Sequence, residues 1–300
     1  MHVPVLLKET IENLNPQEGE TLVDGTVGLG GHARALGEHL GQTGKLIGID
    51  QDEKTLKQAE ENLSGLPCQV ILAKGNFRNI KSILSGLEIG EVDSVLLDIG
   101  FSSEQLQNSG RGFSFQTNEP LLMTLSTDPK DAPFTAREII NDWDENNIAD
   151  IIFAYGEETF SRQIAEAIVK ARREKKIETT GELVEIIRQA VPSWYTKKRL
   201  HFATKTFQAL RIATNDELGA LKQGLEQAFE SLKPGGRLGV ISFHSLEARI
   251  IKNFMKGITG SGQGEMVIKK AIKPTREEII ANPRARSAQL RIIKKLKISN

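Results

Sequence analysis

A cluster of glycines between two acids, early in the chain, has the composition and spacing of a nucleotide site. Asp24 to Ala33 reads DGTVGLGGHA, an acid followed by Gly28, Gly30 and Gly31 where an apolar run gives way to a helical pattern. Glycines let a ligand approach the backbone, and the free amides of a helix start favour an anionic group such as a carboxylate. Asp50 closes the next apolar run, LIGID, about twenty residues further on, where a carboxylate can accept hydrogen bonds from both hydroxyls of a ribose. Together they point to a ligand that contains adenosine. Taken singly, the glycines also suit a tight connection and Asp50 also suits a cap of the following helix.

A dinucleotide and S-adenosylmethionine would use these features alike, so a dehydrogenase and a methyltransferase both remain open at this point. Two later segments bear on the choice: Asp98 closes a fourth run, SVLLDIG, and LKPGGRLGVISFH introduces a late strand through a Pro-Gly-Gly turn. His244 in SFHSLE fits a buried structural histidine as well as a substrate contact. No His, Cys or carboxylate cluster has metal-ligand spacing, so no metal is expected.

These residues need strands that end together. The first hundred residues alternate short apolar runs with helical patterns, as in a parallel sheet with crossover helices, where ligands sit beyond the carboxyl ends of the strands. Strands are expected at Thr21–Asp24, Leu46–Ile49, Val70–Leu72 and Val92–Leu97, with helices at Gly31–Leu40 and Glu53–Leu63. After Asp98 the pattern breaks into a long loop from Gly100 to Pro133. From Thr135 to Val191 it turns helical, with capping boxes at Thr135/Glu138 and Thr179/Glu182 and part of an apolar stripe at Ile164 and Ile168. The sheet pattern resumes near Asn215 with a helix through Leu232 and a strand at Arg237–Phe243. A Gly-rich turn at Gly257–Gly264 and strands at Met266–Ala271 and Gln289–Leu296 complete the reading. The expected organisation is α/β, with a sheet domain in two parts, residues 1–105 and 213–300, and an inserted, mostly helical domain over 106–212.

At 39% hydrophobic and 26% charged residues, the chain has the composition of a soluble globular protein. It has no apolar stretch long enough to cross a bilayer, one cysteine, Cys68, and no secretory pattern in its first residues, so a cytoplasmic location without a membrane partner is expected. Net charge is zero, yet Lys233–Asn300 holds 15 Lys and Arg against 4 Asp and Glu, and Lys170–Arg211 holds 11 against 4. Two such blocks suit a polyanion as well as they suit solvated faces.

The strand-end residues, together with MHVPVLLKE at Met1, RGFSF at Arg111, AYGEE at Ala154, TFQALRIATNDEL at Thr206, SFHSLE at Ser242 and NPRARSAQLRI at Asn282, resemble the small-subunit ribosomal RNA methyltransferase H family. The resemblance runs in order along nearly the whole chain. It implies a class I, Rossmann-like methyltransferase fold that uses S-adenosylmethionine to methylate N4 of a cytidine in 16S rRNA of the small ribosomal subunit. Carried over position by position, it implies a cofactor site at Gly30, Gly31, His32, Asp50, Phe77, Asp98 and Gln105. It assigns no general base. Three segments depart from the pattern: LLMTLS stands where the family has LDMRMD, with Leu122, Thr124 and Ser126 at charged positions; HSLEAR puts Ala248 in place of an aspartate; HFATKTF has Phe202 and Lys205 where the family reads HPATRTF. An alternative from another class is a ribosome-assembly factor that keeps S-adenosylmethionine with weak or no methyl transfer.

The exocyclic amine of cytosine shares its lone pair with the ring, so much of the help it needs is positioning in line with a methyl donor. Acceptors beside it would orient its protons and stabilise the developing charge, and Asp98, the Ile99 carbonyl, Ser102 and Ser103 lie near in sequence. The nucleotide must be unpaired or turned out of its stack. Lys197, Lys198, Arg199, Lys205, Arg284 and Arg286 are candidates to follow its phosphates.

Overall fold

A computed structural model describes residues 4–100, 109–126 and 132–297. The chain divides into two compact units, Met1–Gly100 with Leu218–Asn300, and Phe101–Glu217.

The first unit is built on a seven-stranded sheet in the order β3-β2-β1-β4-β5-β7-β6. Its strands are β1 (Thr21–Asp24), β2 (Lys45–Asp50), β3 (Gln69–Lys74), β4 (Val92–Asp98), β5 (Leu232–Ser242), β6 (Gly264–Met266) and β7 (Gln289–Lys295). The first five are parallel, and β7 runs antiparallel to β5 and β6. Central strands read as unbroken apolar runs because both faces are covered. Alternation then sorts each run: Leu22, Leu46, Leu96 and Ile241 join one core layer, and Val23, Ile47, Val95, Leu97 and Val240 the other. The first layer is covered in part by α1 (Leu7–Leu14), α2 (Gly31–Gly37) and α3 (Glu53–Leu63), the second by α4 (Ile80–Gly86), α10 (Glu217–Glu230) and α11 (Ser245–Gly260).

Several expected elements shift. The Lys-Pro-Gly-Gly turn lies inside β5: Leu232 pairs with Val92, the next pair is Arg237 with Ser94, and the intervening residues bulge with Gly235 at φ +92°. The Gly-rich turn expected at Gly257–Gly264 is mostly helix, since α11 continues to Gly260. Each helical glycine costs about 1 kcal/mol relative to alanine, a cost offset where Ile251 and Met255 on the same helix bury against the sheet. Only Ser261 to Gln263 turns, so β6 begins at Gly264 rather than Met266 and ends at Met266. Beyond it, pairing is reduced to isolated bonds such as Ile272 N–H to the Leu290 carbonyl, 2.9 Å.

The second unit is mostly helical, with α5 (Ala136–Asp142), α6 (Glu145–Gly156), α7 (Ser161–Glu174), α8 (Thr180–Ala190) and α9 (Thr204–Asn215). Both expected capping boxes form, at Thr135/Glu138 and Thr179/Glu182. Ile152, Ile164, Ile168, Leu183, Ile187 and Phe207 are among its core residues. The helix expected from Asn215 to Leu232 is α10, starting at Glu217. Asn215 instead ends α9, and Asp216, at φ +46°, separates the two.

Candidate functional site

The loop between β1 and α2 is held from two neighbouring strands. Gly25 N–H donates to the Leu96 carbonyl of β4 and Val27 N–H to the Ile49 carbonyl of β2, both at 2.9 Å. This close approach requires Gly48, because a Cβ there would stand 2.9 Å from Val27 Cγ2 and 2.6 Å from Leu72 Cδ2. Gly28 and Gly30 adopt φ +52° and +85°, conformations that side chains disfavour, and among the described residues a Cβ on Gly28 would meet nothing nearer than the Thr26 carbonyl at 3.8 Å. The described residues therefore leave the space above Gly28 open.

Asp50, at the end of β2, closes this loop from the side. Its Oδ2 accepts from Gly28 N–H (3.1 Å) and its Oδ1 from Asp52 N–H (2.9 Å). Burial raises its carboxyl above the ordinary range, opposed by these donors. Gln51 N–H is a third backbone donor to it, and a carboxylate has about four acceptor positions, so acceptor capacity is left for a ligand hydroxyl. The capping role weighed against a ligand role falls to Asp52, whose side chain accepts from Lys54 N–H at the start of α3.

Asp98, at the end of β4, belongs to a second network. Its backbone N–H donates to Thr26 Oγ1 (2.7 Å), while its side chain accepts from Gly100 N–H (3.2 Å) and lies 3.5 Å from His32 Nδ1. His32 Nε2 is 2.9 Å from the Val5 carbonyl. A carbonyl only accepts, so Nε2 carries a proton, and His32 and Asp98 pair as ions when Nδ1 is protonated too. Gly31 is packed against Pro4, whose Cγ would be 2.7 Å from an added Cβ. The chain's first described residues thus brace the glycine loop.

Asp24, the acid that opens the glycine motif, completes the cluster. Almost wholly buried, it accepts from Thr26 N–H at 3.1 Å and the Thr26 hydroxyl at 3.4 Å. Burial pushes its pKa up to about 6, against the pull of His32. A carboxyl raised in the folded state binds its proton there while the unfolded chain has already released it. Its stabilising proton is therefore fully present below the ordinary aspartate range and lost as pH rises through about 6. Ligand-free protein is expected to lose on the order of 2–3 kcal/mol across that window relative to Asp24→Asn, in urea unfolding from pH 4 to 8. Parallel curves for the two proteins would refute it.

Phe77 follows β3 in a short 3-10 turn, half-buried, its Cβ 3.2 Å from a Cβ built on Gly25 and its ring against Gly224 of α10. Gly30, Gly31, His32, Asp50, Phe77 and Asp98 thus gather at the carboxyl ends of neighbouring parallel strands. Gln105, Ser102 and Ser103 lie outside the described residues. His244 caps α11, its side chain accepting from Glu247 N–H while Glu247 accepts from His244 N–H.

Space left open by the described residues over a left-handed glycine loop, an acid with acceptor capacity left beside it and an aromatic ring near the next strand end fit S-adenosylmethionine. With β7 reversed in an otherwise parallel core, they define a class I methyltransferase dependent on that cofactor.

Comparisons narrow the class. The MraW methylase family matches residues 1–296. Proteins called ribosomal RNA small subunit methyltransferase H are similar throughout: that of Brevibacillus brevis is 45% identical over 310 residues, covering 98% of each chain, and that of Dictyoglomus thermophilum 46% identical over 293 residues, covering 97% of this chain and 96% of the other. In fold, the chain is similar to a crystal structure described as a putative rRNA-methylase from Clostridium thermocellum, with a TM-score of 0.50 and 14% identity over 99% of this chain and 100% of that one. The chain belongs to the MraW methylase family.

No described helix is long and apolar enough to cross a membrane. Of the departures from the family pattern, Thr124 and Ser126 are buried, with Thr124 Oγ1 donating to the Ser126 carbonyl at 3.0 Å. Phe202 is buried, and Lys205 Nζ donates to the Glu157 carbonyl at 2.6 Å. Thr124 thus meets a neutral carbonyl, Lys205 keeps a cation at its position, and the Arg111 guanidinium donates to the Leu125 carbonyl between Thr124 and Ser126 at 2.7 Å.

Proposed function

We propose that this protein methylates the exocyclic N4 of a cytidine in 16S rRNA, within a small ribosomal subunit. The observation that carries this reading is whole-chain similarity, at 45% and 46% identity, to proteins named for methylation of small-subunit rRNA. S-adenosylmethionine supplies a methyl group on a positively charged sulfur, ready for transfer to a nucleophile. Asp50 accepts the ribose hydroxyls, Gly30, Gly31 and His32 face the methionine end, Phe77 covers the adenine, and Asp98 and Gln105 complete the cofactor set. Asp98 and the Ile99 carbonyl accept from the target amine, orienting its lone pair and stabilising charge as it develops. The helical unit and the two basic blocks hold the surrounding phosphates.

Incubation with labelled S-adenosylmethionine and undermethylated small subunits, followed by digestion and nucleoside mass spectrometry, tests the reading. Label in N4-methylcytidine is expected. Label in a carbon-methylated or ribose-methylated nucleoside would refute the chemistry. Absence of label despite binding of cofactor and subunit would favour the noncatalytic assembly factor.

A further inference from the structure

The loop between α8 and α9 carries a group that neither the core nor the cofactor site uses. From Pro192 to His201 it is exposed except at Tyr195, which is buried, and Thr196, which is half-buried. Trp194, the neighbour of that buried tyrosine, is 56% exposed. An indole has one of the largest apolar surfaces of any side chain, and leaving half of it in water forgoes stabilisation that burial would give.

The indole is nevertheless held in place. Tyr195 donates its hydroxyl to Glu158 Oε2 at 2.5 Å, and Glu158, itself fully buried, also accepts from Phe160 N–H at 2.9 Å. The Phe160 and Tyr195 rings both meet Trp194 at steep angles, with centroids 6.0 and 5.8 Å away. Lys198 Nζ stands 4.8 Å from the centroids of both Trp194 and Tyr195. Lys197 and Arg199 flank it, exposed, and no Asp or Glu occurs anywhere from Ile186 to Asn215. The result is a pre-ordered aromatic surface beside three exposed cations, with the Glu158 carboxylate buried and bonded to Tyr195.

We infer that Trp194, with Lys197, Lys198 and Arg199, is a stacking site for an unpaired nucleotide of single-stranded RNA, an inference that rests on the rRNA substrate proposed above. A base supplies a π-face for the indole and its phosphates supply charge for the three cations. A duplex keeps its bases stacked inside and offers only the phosphates. A basic protein surface would be repelled. Stacking tolerates any base, so this site adds affinity for an unpaired segment without selecting its sequence.

The chain has two tryptophans, so Trp143→Phe leaves Trp194 as the sole indole reporter. Titration with a single-stranded RNA dodecamer should quench its emission, whereas the same sequence as a duplex should not. Trp194→Ala should weaken binding of the single strand by about five- to a hundredfold, and Trp194→Phe should retain most of the affinity. Trp194 is exposed, so its replacement leaves the packed core intact. Undermethylated small subunits separate the possible failures. If the parent protein methylates subunits and Trp194→Ala binds dodecamer and subunit as tightly as the parent, the stacking site is refuted and the rRNA reading stands. Weakened binding to the subunit with undiminished binding to the dodecamer would place a ribosomal protein against Trp194 and also refute the site. A parent protein that neither binds RNA nor transfers methyl to subunits would overturn both.

Discussion

Asp50→Ala is expected to lower S-adenosylmethionine affinity about ten- to more than a hundredfold, the equivalent of roughly 1.5–3 kcal/mol for hydrogen bonds to a charged acceptor. Two losses combine in this substitution. The acceptor capacity left on the carboxylate after its backbone donors is removed, and Gly28 N–H loses its own anchor at 3.1 Å, freeing a loop whose left-handed glycines must be ordered for the ligand. Asp50→Asn keeps one oxygen and the side-chain shape, so it should fall between parent and alanine. Calorimetry on the three proteins distinguishes the outcomes, and equal affinity for all of them would remove Asp50 from the cofactor site.

What made the position of Asp50 beside the glycine loop legible in the sequence is locality. A glycine run, a following helix and an acid after the next apolar run are separated by few residues, and in a parallel sheet adjacent strand ends are brought together by topology alone. The same reasoning placed β1, β2 and β4, whose continuous apolar runs have few other destinations. The bonds from Asp98 N–H to Thr26 and from His32 to Val5 were not legible, since they depend on β4 lying beside β1 and on where the residues before α1 cross the loop. Asp24 stood in plain view in DGTVG, and its signal was burial, which an acid at a strand end does not reveal by type.

Helix boundaries show the same limit. TFQALRIATNDEL has continuous helical composition, and neither Asn215 nor Asp216 is a strong breaker. The break comes from contacts distant in sequence: Asn215 Nδ2 donates to the Met123 carbonyl at 2.7 Å, and its Oδ1 accepts from Leu125 N–H at 2.8 Å. Asn215 thereby clamps the segment in which the family pattern fails, and Arg211 nearby makes a two-point ion pair with Glu217, both contacts at 2.9 Å. Conversely, Gly257 and Gly260 looked like a turn because glycine is a poor helix former, and the buried face of α11 outweighed that preference.

The clamped segment makes the remaining departure testable. Thr124 has no exposed surface and gives its hydroxyl proton to the Ser126 carbonyl, while the Arg111 guanidinium already donates to the neighbouring Leu125 carbonyl at 2.7 Å. Thr124→Arg, which restores the family's residue alone, would place a guanidinium there without its acids. An uncompensated buried charge costs about 3–5 kcal/mol, enough to unfold a domain of ordinary stability. Adding Leu122→Asp and Ser126→Asp supplies the missing carboxylates, and part of the loss should return. Urea unfolding of the parent, the single variant, the double acidic variant and the triple variant closes a thermodynamic cycle in which the coupling should be favourable by more than about 1 kcal/mol. A single variant as stable as the parent would mean that position 124 reaches water. An additive cycle would mean that the three positions do not form one charge network, and that the neutral residues of this chain did not replace one as a set.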